Sequence, residues 1–221
     1  MNDDSTRQRL ILAAERAFAE QGIDGVSLRE INRAAGQRNA SALHYHFGTR
    51  DALLRAIFEH RMAGINRRRL QLLGESERSG RATDLRALVE VIVAPLAEQL
   101  GADGGASHYV RFLAQVHGHP EMEPSAVNGG EHESGLRRAR RLIRLALGGL
   151  PDEIVKERMR AMTGQILQGL ADLERMLASR SRAADVALRV SNLVDVVAAG
   201  LSAPVSPTTA AQLKQHRRRS A

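Results

Sequence analysis

No cysteine occurs in this chain, which excludes disulfides, thiolate metal sites and a cysteine nucleophile, and fits a cytoplasmic home. No apolar run approaches the roughly 18 residues of a membrane-spanning helix, so no membrane partner is expected. The opening MNDDSTRQRL starts with acids and lacks the apolar core of a secretory leader. Neither an internal repeat nor a convincing alternating strand is found, which argues against β architectures. Also missing are a Ser/His/Asp constellation, a phosphate-cradling glycine loop and paired carboxylates on one helix face. The expectation is a non-enzyme without cofactor or metal.

What remains is helical, basic and large enough to bury a core. Hydrophobic residues make up 43% of 221, and the net charge is +7. Such an excess points to a polyanionic partner, but it is spread over three places. Residues 1–70 hold twelve Lys/Arg against eight Asp/Glu, 137–144 hold five Arg without an acid, and 214–219 add four cations. Charge alone is therefore a weak pointer to nucleic acid.

Apolar residues recur at helical spacing almost throughout, giving an all-α class. A first helix over about Ser5–Gln21 carries Leu10, Ile11, Ala14, Ala17 and Phe18 on one face and stops at Gly22. Ser27 with Glu30 reads as a capping box opening a second helix, and Gly36 suits the tight turn after it. A third short helix covers about Asn39–Phe47, and a fourth opens at Thr49. Polar GESERSG, 74–80, reads as a linker. Further helices are expected over about 83–100, 106–116, 133–147, 152–179 and 182–201, with a loop at 119–130.

Two short helices around a glycine turn form a helix-turn-helix, whose second helix enters the DNA major groove. Such a helix needs short polar groups for base edges and flanking donors for phosphates. Arg38 can bridge guanine and Asn39 adenine, with Gln37 and Ser41 beside them, while small Ala40 and Ala42 admit a close backbone approach. His44, Tyr45 and His46 supply donors further along, and Leu43 and Phe47 face inward. Ser27, Thr49 and Arg50 stand at helix starts, where free amides seat phosphate.

VSLREINRAAG followed by SALHYHFGTRDALL resembles the N-terminal domain of TetR-family transcriptional regulators, over roughly the first 60 residues. Leu43, Tyr45, His46, Phe47, Thr49, Arg50 and Leu53 match that family's closing motif. His44 stands where a tyrosine is usual, and the turn after Gly36 runs one residue longer than is common. The resemblance implies a helix-turn-helix head, a C-terminal helical domain and a homodimer. The expected division is a head with the start of a connecting helix in 1–70, a ligand-binding and dimerisation domain in 71–201, and a disordered basic tail in 202–221.

The body carries fainter signals. Tyr109 and Phe112, rare aromatics three apart, are either core or the wall of an effector cavity, with His108, Arg111 and Gln115 as polar groups. His44 and His46 point to different sides of a helix and cannot share an ion, and His117, His119, Glu121 and Glu123 read as solvated. RRARRLIR, 137–144, is either a solvated or carboxylate-paired face or a seat for an anion or DNA. Met162, Ile166 and Leu170 form one stripe, and Gly164 and Gly169 imply close approach. Val190, Leu193, Val194 and Val197 belong to a helix apolar on several sides, expected to pair with a second copy. The expected function is a homodimeric, ligand-released repressor on a palindromic double-stranded operator. A non-specific architectural DNA-binding protein and an all-helical enzyme with an incidental helix-turn-helix are the alternatives.

Overall fold

Every regular element is a helix among the residues described by the computed structural model, which are 3–37, 41–101, 107–121, 131–179 and 185–220. The first helix, α1 (Asp3–Gln21), buries Leu10, Ile11, Ala14 and Phe18 and ends at Gly22, whose φ of 81° only glycine adopts freely. The capping box then opens α2 (Leu28–Ala34). Ser27 Oγ accepts from Glu30 N at 3.3 Å, and the Glu30 carboxylate accepts from Ser27 N at 2.7 Å. That bonding to Ser27 holds the Glu30 carboxyl below its ordinary pKa. After it come α3 (Ala42–Phe47) and α4 (Arg50–Arg78), the latter capped by Thr49 Oγ1 accepting from Ala52 N at 3.1 Å.

The linker expected at 74–80 is mostly helix. Leu73 and Ser76 stay buried, and Ser76 Oγ donates to the Arg81 carbonyl at 2.8 Å, so α4 runs on past Gly74. A glycine costs a helix about 1 kcal/mol, which continuous packing offsets. The break falls at Gly80, with φ 71°.

The body comprises α5 (Leu85–Ala97), α6 (Tyr109–Gly118), a 3-10 turn (Glu131–Glu133), α7 (Ser134–Ala146), α8 (Asp152–Ala178) and α9 (Val186–Ser202). Among the described residues the helix expectations hold here to within about one turn; the expected starts at 106 and 182 and the loop over 122–130 lie outside them. Apolar on nearly every side, α5 is the hub and packs against α4, α7, α8 and α9. Gly169 permits the close α8–α9 contact, since a Cβ there would meet Leu193 Cδ1 at 3.2 Å.

The tail expected to be disordered forms α10 (Pro207–Ser220). Pro207 begins it, where a missing N–H is harmless, and Ser206 Oγ accepts from Thr209 N at 3.2 Å. Arg217 clamps both oxygens of Glu153 on α8 at 2.7 Å. Here the composition misled, because a polar helix anchored at both ends has little apolar pattern to read.

Candidate nucleic-acid interface

Leu43, 1% exposed, anchors α3 to the head, and Phe47 packs beside it under the Arg7 guanidinium. That anchoring turns the opposite face outward. Tyr45 is 78% exposed, with His44 and Ser41 exposed beside it. Tyr45 is the most exposed of the large hydrophobic side chains among the described residues. His44 Nδ1 donates to the Gly48 carbonyl at 3.0 Å, which fixes the ring across the end of the helix. The capped starts of α2, at Ser27, and α4, at Thr49, flank this face. Arg38, Asn39 and Ala40 lie outside the described residues.

Not every expected contact faces outward. His46 is only 7% exposed and turns back toward α1, with Nε2 at 3.6 Å from Asp3 and its ring edge-on to Tyr45. Ala42 is half-buried against the core. The Arg50 guanidinium donates to the Ile23 carbonyl and, at 2.9 Å, to the Val26 carbonyl, and it lies over Phe18. Arg50 thus pins the loop before α2 instead of standing free beside the start of α4. Spacing cannot separate these roles, because a basic residue at a helix start serves either.

The residues read as either core or the wall of an effector cavity form the joint between head and body. Tyr109 and Phe112 are both 0% exposed, and Phe112 meets Phe18 of α1 at 6.3 Å between ring centroids. Arg111 Nη2 donates to His108 Nδ1 at 3.2 Å, and Arg111 Nε donates to Glu174 of α8 at 3.1 Å. Glu174 also accepts from the Val110 and Arg111 amides at 3.3 and 3.0 Å, capping α6 from a distant helix. Burial pushes the Glu174 carboxyl up, whereas burial and Arg111 hold His108 down at about 4. Gln115 faces Gly22, and His119 Nε2 reaches Asp24 at 2.9 Å. Arg61 of α4 grips Glu15 of α1 at 3.0 and 3.2 Å, completing the joint.

The cavity lies on the other face of α6. An outer chamber of about 300 Å3 is lined by Leu113, His117, Arg140, Arg144 and Arg160 among others. An inner one of about 100 Å3 shares Phe58, Leu113, Arg140, Thr163 and Leu167 with it and reaches Arg69, Met162 and Ile166. Met162 and Ile166, expected at a dimer interface, thus wall this space. Leu170, Val194 and Val197 are at most 2% exposed within one chain, because the apolar hub α5 and its neighbours need that cover. Val190 and Leu193 are half-buried. The outward face of α8–α9 instead carries Leu188, 65% exposed, Val196, 46% exposed, and a groove along Gly169, Met176 and Asn192. No His/Asp/Glu cluster able to hold a metal occurs among the described residues. No single described helix is long and apolar enough to cross a membrane, although α9 and α10 together meet that test as a pair bent by 58°.

A helix-turn-helix head with an exposed reading face, carried on a helical body, defines a DNA-binding regulator. Residues 10–57 match the family described as bacterial regulatory proteins, tetR family, and 90–200 match the tetracyclin repressor-like C-terminal domain. The chain belongs to the TetR family of transcriptional regulators. A TetR-family regulator from Marinobacter aquaeolei VT8 superposes with a TM-score of 0.58 at 18% identity, covering 90% of this chain and 96% of that one. NalD, described as the secondary repressor of the MexAB-OprM multidrug efflux pump in Pseudomonas aeruginosa, gives 0.46 at 22% identity, covering 89% and 95%. No curated protein matches.

Proposed function

We propose that this regulator is a repressor that binds a palindromic operator as a homodimer and leaves it when a small molecule fills the body cavity. The outward face of α3, led by Tyr45 between two capped helix starts, is the observation that carries this reading. Two heads must match successive major grooves about 34–36 Å apart or a multiple, so a modest tilt of each head abolishes joint binding. The tilt has a route. One face of α6 lines the cavity through Leu113 and His117, while Phe112 on its other face presses on Phe18 of the head. Leu188, Val196 and the α8–α9 groove offer the second copy an apolar surface.

Selection of bound DNA from a random pool tests the reading. A palindromic consensus with two half-sites in groove register is expected, and uniform recovery of all sequences would point to an architectural protein. Tyr45→Ala should reduce affinity for the selected site more than tenfold at fixed salt while leaving the melting temperature unchanged. Undiminished affinity would remove α3 from the interface.

A further inference from the structure

Arg69, on α4, is 1% exposed, and its Nε and Nη1 lack a hydrogen-bond partner among the described residues. A buried, unpaired guanidinium is costly and is rarely retained without an anion to meet it. The Tyr109 hydroxyl, near enough to interact electrostatically with Arg69, is buried and likewise unpartnered. Arg140 of α7 lines both chambers, and Arg144 and Arg160 line the outer one, yet no described lining residue is acidic. Glu133 acts on Arg69 and Arg140 from a distance but pairs with neither among the described residues. Apart from His117 and Thr163 the rest of the wall is apolar, notably Phe58, Leu113, Leu136, Met162 and Leu167. Gly135 is what brings α7 this close, since a Cβ there would meet Asn66 Oδ1 at 2.8 Å and Arg69 Cγ at 3.3 Å.

We propose that the cavity binds an amphipathic monocarboxylate, its head group at Arg69 and Arg140 and its apolar body against Leu113, Met162 and Leu167. This inference names the ligand class for the effector cavity and so rests on the reading above. A single buried unpartnered guanidinium suits one negative charge, and its planar donors match a carboxylate. The space made by the outer chamber of about 300 Å3 and the inner one of about 100 Å3, which Arg69 and Met162 line, is at the small end of ligand sites. At the ~30 Å3 of a liquid water per non-hydrogen atom, it holds on the order of ten such atoms. Octanoate has that size.

The test is isothermal titration of the full-length protein with octanoate, 1-octanol, octylammonium and octyl phosphate. Octanoate should bind more than tenfold tighter than 1-octanol, with octylammonium giving no heat. Arg69→Met and Arg140→Met should each weaken octanoate more than tenfold while leaving 1-octanol unchanged. Leu167→Trp, which fills the chamber, should abolish octanoate binding independently of the arginines. Equal or tighter binding of the alcohol, a tighter octyl phosphate, or octanoate binding indifferent to all three variants would overturn the assignment. The same preparations are titrated with the selected DNA. Octanoate that binds without releasing DNA leaves the ligand class standing and removes the release mechanism, whereas intact DNA binding with no octanoate heat overturns the ligand class alone.

Discussion

Arg69→Met should make the ligand-free protein more stable, the reverse of what removing a buried side chain usually does. Burial depresses the Arg69 guanidinium from its ordinary value to about 10, which measures how poorly the folded chain supports that charge. That depression corresponds to a penalty on the order of 3 kcal/mol. Methionine keeps the Cβ and Cγ that pack at Gly135 and removes the charge. Some packing is lost with the shorter side chain, so a net gain of about 1–3 kcal/mol is expected. At roughly 2–4 °C per kcal/mol for a chain of this size, the melting temperature should rise by about 2–12 °C. Calorimetry at one fixed protomer concentration measures it. The gap should stay constant from pH 6 to 9 and narrow above about pH 10. There the native arginine gives up its proton while the unfolded one keeps it, so the unfolded state binds more protons and wild-type stability rises with pH. Saturating octanoate should reverse the order, since it stabilises only the chain that binds it. A lower melting temperature for ligand-free Arg69→Met would refute the idea that this charge is uncompensated.

The joint supplies further tests. Glu174→Ala leaves buried Arg111 and the first amides of α6 without their acceptor, a loss of about 3–5 kcal/mol in urea unfolding; a change below 1 kcal/mol would reduce that pair to ornament. His108, held at about 4 against an ordinary 6.5, takes up its proton in the unfolded chain first, so stability falls as pH drops through that window. The loss should be about 2 kcal/mol at pH 5 relative to pH 7, and His108→Gln should remove that share of the acid limb; an identical limb would show that His108 charges freely. At the proposed dimer face, Leu188→Asp with Val196→Asp should give folded monomers by sedimentation, whereas Val194→Asp should unfold the chain, because Val194 is only 2% exposed. Dimers that survive the double change would move the interface elsewhere.

Local rules carried the head. Capping residues, turn glycines and the Leu43–Phe47 spacing each have one structural answer at short range, and each stands where the spacing puts it. Side-chain direction was less legible. Arg50 and His46 sit at positions where a basic residue can turn out to phosphate or back to carbonyls and α1, and the choice depends on chain more than 20 residues away. In the body the apolar stripe of α8 was visible, but what would cover it was not. A stripe records that a face must be buried without recording whether its own chain or a second copy does so, and here α6 and α9 of the same chain lie against it.

The same ambiguity attaches to α6, whose aromatics read as either core or cavity wall. Tyr109 and Phe112 are the conspicuous residues of that helix, and conspicuous aromatics invite a ligand. They are fully buried, and Phe112 faces α1, which is where a large rigid ring is most useful for transmitting displacement between two packed bodies. The cavity-lining side carries only Leu113, Val116 and His117, ordinary in sequence, and the cavity's distinctive side chains, Arg69 and Arg140, come from other helices. No spacing rule could have joined Arg69 to Arg140, because two helix faces define that site together. Their run-mates diverge: Arg138 pairs with Glu77, while Arg140 and Arg144 turn into the cavity. Of the two readings the arginine run allowed, the carboxylate-paired face fits Arg138, while Arg140 and Arg144, which line the cavity, leave the anion seat to the titration with octanoate.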